Sequence, residues 1–372
     1  MERDCDIAII GAGVLGTCLA HWISSLYSAR VCLIDASGDV ASHTTSRNTG
    51  VIHRPFYLDP VKKGTFARAA SLSYPMWMKF ARDFSLPWEQ VGTVEVALSD
   101  RDLDVISSYS EYAESNGMSR EEYEVLDTHG LQAIEGGSVK ALGAFFSKTD
   151  TSVDYGLMTR AICGTLSGVS TVLGRSVVRI VEGEGYNLTL SDGSTLRART
   201  VFNCAGANSL RIAHSMGLAR DLSVFFFRGG DYWRLRQDAL PSIRHNIYSV
   251  PRFLKFPFLD PHFIVRYSGV RELGGPNAAL VAGPYVYSGF SESPLQALSW
   301  LFERPVLTRL SLLTNLEFLG MVRSEWESST SPPEGMVRRL SSFIPSLKAS
   351  MISGPGISGV RGLCGEQERF RA

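Results

Sequence analysis

Apolar residues run almost unbroken through residues 6–10 (DIAII) and then, past a glycine-rich break, recur at helical spacing through VLGTCLAHWISSLY. A second apolar run, RVCLID, closes on Asp35. This pattern predicts strand, turn, helix, strand, with both strands buried. Residues 61–145 read mostly as helices, because VKKGTFARAASLSYPMWMKFARDF and RDLDVISSYSEYAESNG place apolar residues at helical intervals, with a short strand or two between them. Residues 169–172, 176–181, 187–190 and 195–202 alternate as strands around an Asp192-Gly193 hairpin turn. Residues 222–235 and 247–287 are rich in aromatic and β-branched side chains, as an antiparallel sheet requires. There is no internal repeat and no low-complexity tract.

The first break carries chemistry. Gly11, Ala12, Gly13, Val14, Leu15 and Gly16 follow a strand and open a helix, the context that makes a GxGxxG spacing specific for a dinucleotide. Gly11 allows the tight turn, Gly13 lets backbone approach a pyrophosphate, and Gly16 lets the helix pack on the strand. The free N–H groups of the helix N-terminus face the phosphates. Asp35, about twenty residues past the glycines, is placed to accept hydrogen bonds from ribose hydroxyls and to repel a 2′-phosphate, which disfavours NADP. The strand over 195–202 runs into Asn203-Cys204-Ala205-Gly206, and a return of Ala205 and Gly206 to the first loop is a trait of FAD sites rather than NAD sites.

Composition narrows the class. The chain has 372 residues, 44% of them hydrophobic, enough for a large core and two domains. Lys+Arg and Asp+Glu are both 37, so no basic excess draws it to nucleic acid. Six cysteines without a CxxC pair point away from a zinc ribbon or a disulfide framework, suggest no metal site, and suit a reducing, cytoplasmic setting. The N-terminal apolar run is broken by glycines and preceded by Glu2, Arg3 and Asp4, unlike a signal peptide. No stretch has the length of a membrane span, which leaves peripheral association with a membrane surface open.

Several segments in order, SRNTGVIH, TSVDYGLMTRAI, NCAGANSLRIA, FRGGDYWRL, NIYSVP, FPFLDPHF, GGPNAAL and GVRG, resemble the D-amino-acid-oxidase-like FAD oxidoreductases, and among them the L-2-hydroxyglutarate dehydrogenases. The resemblance covers most of the chain. It implies an α/β fold, with a Rossmann-type FAD-binding domain (1–60, 150–220 and 335–372) and a second, α+β substrate domain built on an antiparallel sheet (61–149 and 221–334). It implies that Ser46, Arg47, Asn48, Thr49, Gly50 and Val51 form the loop beside the flavin and pyrophosphate, and that the backbone of Val177 contacts the adenine.

Oxidising a 2-hydroxy acid requires a base for the hydroxyl proton and a cation to hold the carboxylate. His53 is the first candidate base, at the end of the flavin-side loop, and His262 the second. A histidine in that place is equally able to be a structural loop residue. Arg361 in GVRG resembles the family's substrate-facing arginine, with Arg228 and Arg266 as alternatives, and Tyr248 is a candidate hydrogen-bond donor. The other histidines have no motif behind them.

Three departures from the family bear on the substrate. Arg54-Pro55 stands where a small Ala-Gly is usual, PRFLK (251–255) replaces a PDP stretch, and Asp260-Pro261 replaces the short connection before His262. Members also continue past a GVR turn into a further strand, a Gly-rich loop and a helix, whereas this chain ends at Ala372, so reduced flavin affinity and activity are expected unless GPGISG (354–359) substitutes. The expected activity is oxidation of an L-2-hydroxy acid, with electrons passed to a quinone or other acceptor. An amino-acid, amine or glycerol-3-phosphate oxidoreductase is the alternative, and a weakly flavinated, non-catalytic remnant a second.

Overall fold

The glycine-rich unit folds as its pattern predicts. In the computed structural model of the protein, which describes residues 3–229, 232–251, 261–275, 279–303, 305–306, 314–316, 318–320, 323, 333–366 and 369–371, the strand Arg3–Ile10 leads into the helix Val14–Leu26 and the strand Val31–Ile34. All four residues of Val31–Ile34 are buried, as an inner parallel strand demands. Arg3–Ile10 pairs in parallel with Val31–Ile34 on one side and Thr195–Asn203 on the other. Gly185–Leu190 and Val177–Gly183 continue the sheet antiparallel, completing six strands. Val169–Val172 lies at the opposite edge, parallel to Val31–Ile34, and so is no part of the meander. A parallel edge needs a crossover, and the helix Tyr155–Gly164 supplies it.

A second sheet of eight strands runs in the order Ile352–Pro355, Trp233–Leu235, Arg271–Gly274, His262–Val265, Asn246–Ser249, Thr93–Ala97, Gly143–Ser147, Tyr123–Asp127. Its pairs are antiparallel except Asn246–Ser249 with Thr93–Ala97. Residues 61–145 thus supply three strands, more than the one or two that helical periodicity left room for. The sheet has two unlike faces because neighbouring residues alternate sides. Val94, Val96, Ile247, Phe263, Val265 and Leu273 join a core with Met336, Leu340, Phe343 and Ile344. The intervening residues Thr93, Glu95, Tyr248 and His262 occupy the other face, where His53 and Phe56 lie.

A third, four-stranded sheet corrects two expectations. The strand Ser223–Gly229 belongs to it rather than to the eight-stranded sheet, between Ala279–Val281 and Gly359–Glu366. Three successive phenylalanines, Phe225, Phe226 and Phe227, are fully buried in it because both of its faces are covered. GVRG is accordingly not a turn: it opens the strand Gly359–Glu366, held by pairing from Gly229 to Ser223. The last pair, Val51–Ile52 with Thr151–Ser152, is a short antiparallel ribbon between the large sheets. The helix Gly64–Asp83 is the longest among the described residues, and no described helix is long and apolar enough to cross a membrane. PRFLK beyond Pro251 and the Asp260 of FPFLDPHF lie outside the described residues.

Candidate active site

The first cleft is made from backbone. Gly11 holds φ at 110°, which L side chains rarely adopt, and a Cβ there would run into the Cys204 carbonyl. The Cys204 N–H donates to the Ile10 carbonyl at 2.8 Å, so the glycine turn and the return at residues 203–206 lie against each other. Between them opens a cleft of about 430 Å³ whose lining includes Gly11, Gly13, Asp35, Val177, Ala205 and Gly206. Six of the expected cofactor positions therefore meet in one space. Gly16 is buried against the Gly11 carbonyl and serves the packing of helix on strand. Leu15 is exposed and Ala12 fully buried, and neither lines the cleft.

Asp35 has a second task that its spacing did not reveal. Its Oδ2 accepts from the Ala12 N–H at 2.6 Å and its Oδ1 from the Ser37 N–H at 2.8 Å. The carboxylate thus pins the glycine turn. A carboxylate has about four lone-pair sites, so two remain for ribose hydroxyls. The Val14 N–H donates to Thr45 Oγ1 at 3.1 Å, which puts a hydroxyl at the helix N-terminus that the sequence reading missed. The acid at Asp35, the small residues at Ala205 and Gly206, and the helix N-terminus beside Gly13 fit the adenosine diphosphate half of FAD.

The flavin-side loop is shaped by its own polar groups. Asn48 Nδ2 donates to the carbonyls of Thr44 (3.0 Å) and Thr45 (2.8 Å), and its Oδ1 accepts from the Gly50 N–H at 2.8 Å. Arg47 donates to the Ser358 carbonyl at 3.2 Å and lies 4.1 Å over the Tyr287 ring. Ser46 donates to the Ala41 carbonyl. Ser46, Asn48 and Gly50 line a cleft of about 360 Å³ with Arg234, Arg266 and Glu272. Arg266, a candidate substrate clamp, is instead committed to structure: it pairs with Glu272 at 2.7 Å and donates to the carbonyls of Asn48 and Thr49. Arg228 is buried and donates to the Tyr287 carbonyl at 3.1 Å, which likewise removes it from the clamp.

Beyond Val51, the ribbon register places His53 opposite Asp150, one step past the pair Ile52 and Thr151. His53 Nδ1 lies 2.7 Å from Asp150 Oδ2. Asp150 is fully buried, and its Oδ1 accepts from the Arg54 N–H (2.9 Å) and the Ser147 hydroxyl (2.6 Å). Three hydrogen bonds satisfy a buried carboxylate that would otherwise be costly. Asp150 was missed by sequence reasoning, since 97 residues separate it from His53. Its only signal was an acid immediately before the TSVDYG segment.

His53 lines a cleft of about 410 Å³ with Tyr57, Thr93, Glu95, Tyr109, Tyr112 and Tyr248. Tyr248 meets His53 edge to face at 5.5 Å and stacks on His262 at 4.6 Å. Its buried hydroxyl is within reach of the Thr49 side chain. Burial raises its pKa well above that of an ordinary phenol, so it stays a donor. His262 is fully buried between Tyr248 and Tyr232, in space left because Gly274 has no Cβ; a methyl there would come within 2.7 Å of His262 Nε2. Arg361 is desolvated, which lowers its pKa, while Tyr232 acts in the opposite direction. Ring contacts therefore link three of the four candidate catalytic residues, His53, Tyr248 and His262, with Tyr232 beyond His262; Arg361 is tied to Tyr232 by charge alone, and only His53 and Tyr248 line the cleft.

Glu95, also missed, stands beside Tyr248 in the parallel register. Burial pushes its carboxyl up to about 7, against the Tyr109 hydrogen bond and the His53 charge, which favour the ionised form. The Tyr109 hydroxyl donates to Glu95 Oε1 at 2.7 Å. Its sequence signal was a lone acid in the apolar run VGTVEVAL.

Comparison with known proteins bears on family and fold. The family model described as FAD dependent oxidoreductase matches residues 6–353. A Caenorhabditis elegans protein named mitochondrial L-2-hydroxyglutarate dehydrogenase is 28% identical over 366 residues, covering 96% of this chain and 81% of the relative. Among solved structures, the FAD-bound L-alpha-glycerophosphate oxidase of Mycoplasma pneumoniae superposes with a TM-score of 0.70 at 16% identity, over 97% of this chain and 83% of that one. Glycine oxidase from Geobacillus kaustophilus gives 0.68 at 15% identity, with the same coverage of each chain. The two structures share the fold with this chain.

Proposed function

The chain belongs to the family of FAD-dependent oxidoreductases, which act on CH–OH or CH–NH groups, and from that premise we propose that it oxidises an L-2-hydroxy acid of the 2-hydroxyglutarate kind to the 2-oxo acid, passing electrons to a quinone or another acceptor. The observation that carries this reading is the His53 and Asp150 pair. An ionised carboxylate only accepts hydrogen bonds, so Nδ1 of His53 carries a proton and Nε2 is the ring atom left to face the substrate. His53 is only partly exposed, its ring a quarter open, which keeps Nε2 within reach of a substrate hydroxyl in the cleft. Nε2 takes the hydroxyl proton as the C–O bond gains double-bond character, and Asp150 stabilises the imidazolium that results.

When bound, FAD supplies the acceptor for the hydride that leaves the α-carbon. Tyr248, which lines the cleft beside His53, offers its hydroxyl as a donor to the substrate oxygen. His262 acts on the substrate through Tyr248, whose ring it holds. Arg361 is the sequence candidate for the α-carboxylate clamp, because its planar fork matches two carboxylate oxygens, and it stands outside the lining of the His53 cleft. Residues 1–60 and 150–220 hold the cofactor in this reading and 61–149 and 221–334 cover it, while of 335–372, expected in the cofactor domain, Met336, Leu340, Phe343 and Ile344 pack on the eight-stranded sheet instead.

Anaerobic mixing of the purified flavoprotein with a panel of substrates tests the reading. L-2-hydroxy acids should bleach the flavin, and their D-isomers, glycine, other amino acids and glycerol 3-phosphate should not. Bleaching by an amino acid or glycerol 3-phosphate, with none by any L-2-hydroxy acid, would sink it.

A further inference from the structure

The cleft in front of His53 contains an acid where a dicarboxylate's second charge would come to rest. Glu95 and Tyr248 are register partners and line the same cleft, so a substrate whose hydroxyl meets His53 extends its tail past Tyr248 towards Glu95. The walls there are the phenols of Tyr57, Tyr109, Tyr112 and Tyr248 and the hydroxyls of Thr93, Ser108 and Ser249. Among the described lining residues there is no lysine or arginine. A cleft of this size holds a five-carbon acid with room for water.

We propose that Glu95 reads the far end of the substrate: a second carboxylate is held only while the Glu95 carboxyl carries its proton, whereas an uncharged hydrogen-bonding tail is held in either state. The proposal rests on the hydroxy-acid reading for the placement of the substrate's near end.

The chemistry is a carboxyl–carboxylate hydrogen bond. A neutral Glu95 donates its proton to the distal carboxylate through an O–H···O⁻ contact, which is short and strong in a dry site. An ionised Glu95 would set two like charges side by side, and two carboxylates sharing a site do not both ionise readily. Tyr109 already donates to Oε1, leaving Oε2 as the end that meets ligand. The groups facing Glu95 are Tyr109 and Asp102 on the helical side, His53 and Asp150 on the ribbon side, and Tyr248 on the neighbouring strand. His53 and Asp150 act on every substrate alike, so a ratio between substrates isolates Glu95. Burial places the Glu95 titration near neutrality, where the effect is readable.

The experiment compares L-2-hydroxyglutarate with its 5-amide, as holoenzyme, over the pH range in which the fold persists. In the wild type the ratio of KM values, diacid over amide, should rise about tenfold per pH unit above neutrality. In Glu95→Gln the ratio should be flat, with the Tyr109 hydrogen bond retained by the isosteric amide. A second readout needs no turnover: calorimetric binding of 2-oxoglutarate at a pH about one unit above neutrality, in buffers of different ionisation enthalpy, should show uptake of close to one proton in the wild type and none in Glu95→Gln. A flat wild-type ratio, equal proton uptake in both proteins, or no binding of either ligand class overturns the assignment. Absence of turnover with intact, proton-linked 2-oxoglutarate binding would instead sink the hydroxy-acid reading and leave Glu95 as the tail sensor.

Discussion

The nucleotide cleft and the His53 cleft are built from opposite materials. The first is a shape made of backbone: Gly11 in a left-handed turn, the Cys204 carbonyl against it, and Asp35 pinning Ala12. The second is a set of titratable side chains drawn from separate stretches of chain: His53, Glu95 and Tyr248 line one space, and the buried Asp150 backs His53. A backbone site fails by losing its shape, and a side-chain site fails by losing a proton or a charge. Substitutions should therefore separate them cleanly.

The largest effect is expected in the first region. Gly11→Val forces a β-branched residue into a positive-φ turn, at a strain of about 1–3 kcal/mol, and adds an overlap with the Cys204 carbonyl. FAD binding should weaken by about a hundredfold or more, and the purified protein should lack visible absorbance. A fully yellow Gly11→Val protein would break the distinction. His53→Ala should do the reverse, keeping the flavin spectrum while slowing anaerobic reduction by about 10²–10⁴-fold, the usual worth of a general base. Rapid-mixing absorbance reads the rate, and an unchanged rate removes His53 from the chemistry.

The third expected effect is on stability. Glu95 has a carboxyl raised from 4.5 to about 7, so between those values the folded chain keeps a proton that the unfolded chain has lost. Stability from this group is thus present below pH about 4.5 and falls as pH rises towards about 7, by roughly 3 kcal/mol in all. Urea midpoints of wild type and Glu95→Gln at pH 5 and pH 8 measure it. The variant should lose less on going to pH 8, and equal losses would mean that Glu95 titrates as an ordinary acid.

The same division explains what the sequence disclosed. Backbone sites leave local marks, since Gly11, Gly13, Gly16 and Asp35 fall within 25 residues and between two readable strands. Side-chain sites do not. His53 was visible through its motif, but its partner Asp150 is 97 residues away and depends on a two-residue ribbon too short to carry a period. Glu95 was hidden because the alternation in Thr93–Ala97 lasts only a few residues, and one acid between valines reads as an exception. The three strands within 61–145 were undercounted for the same reason, as helical periodicity from Gly64–Asp83 and Asp100–Ser107 dominated the region. Arg228 and Arg266 were plausible clamps by residue type, and only the carbonyls of Tyr287, Asn48 and Thr49 reveal their actual duties.

The two-faced strand Thr93–Ala97 has a consequence for how the protein can change. Val94 and Val96 hold the fold together, while Thr93 and Glu95 touch the cleft. Within this strand odd positions face the cleft and even positions the core, and the same alternation with its parity reversed governs Asn246–Ser249 beside it, where Ile247 is structural and Tyr248 faces the cleft. Substrate preference can thus drift through one set of letters without eroding the other. Insertion of a single residue would exchange the two sets at once, whereas replacing one letter at a time lets an old scaffold acquire a new substrate.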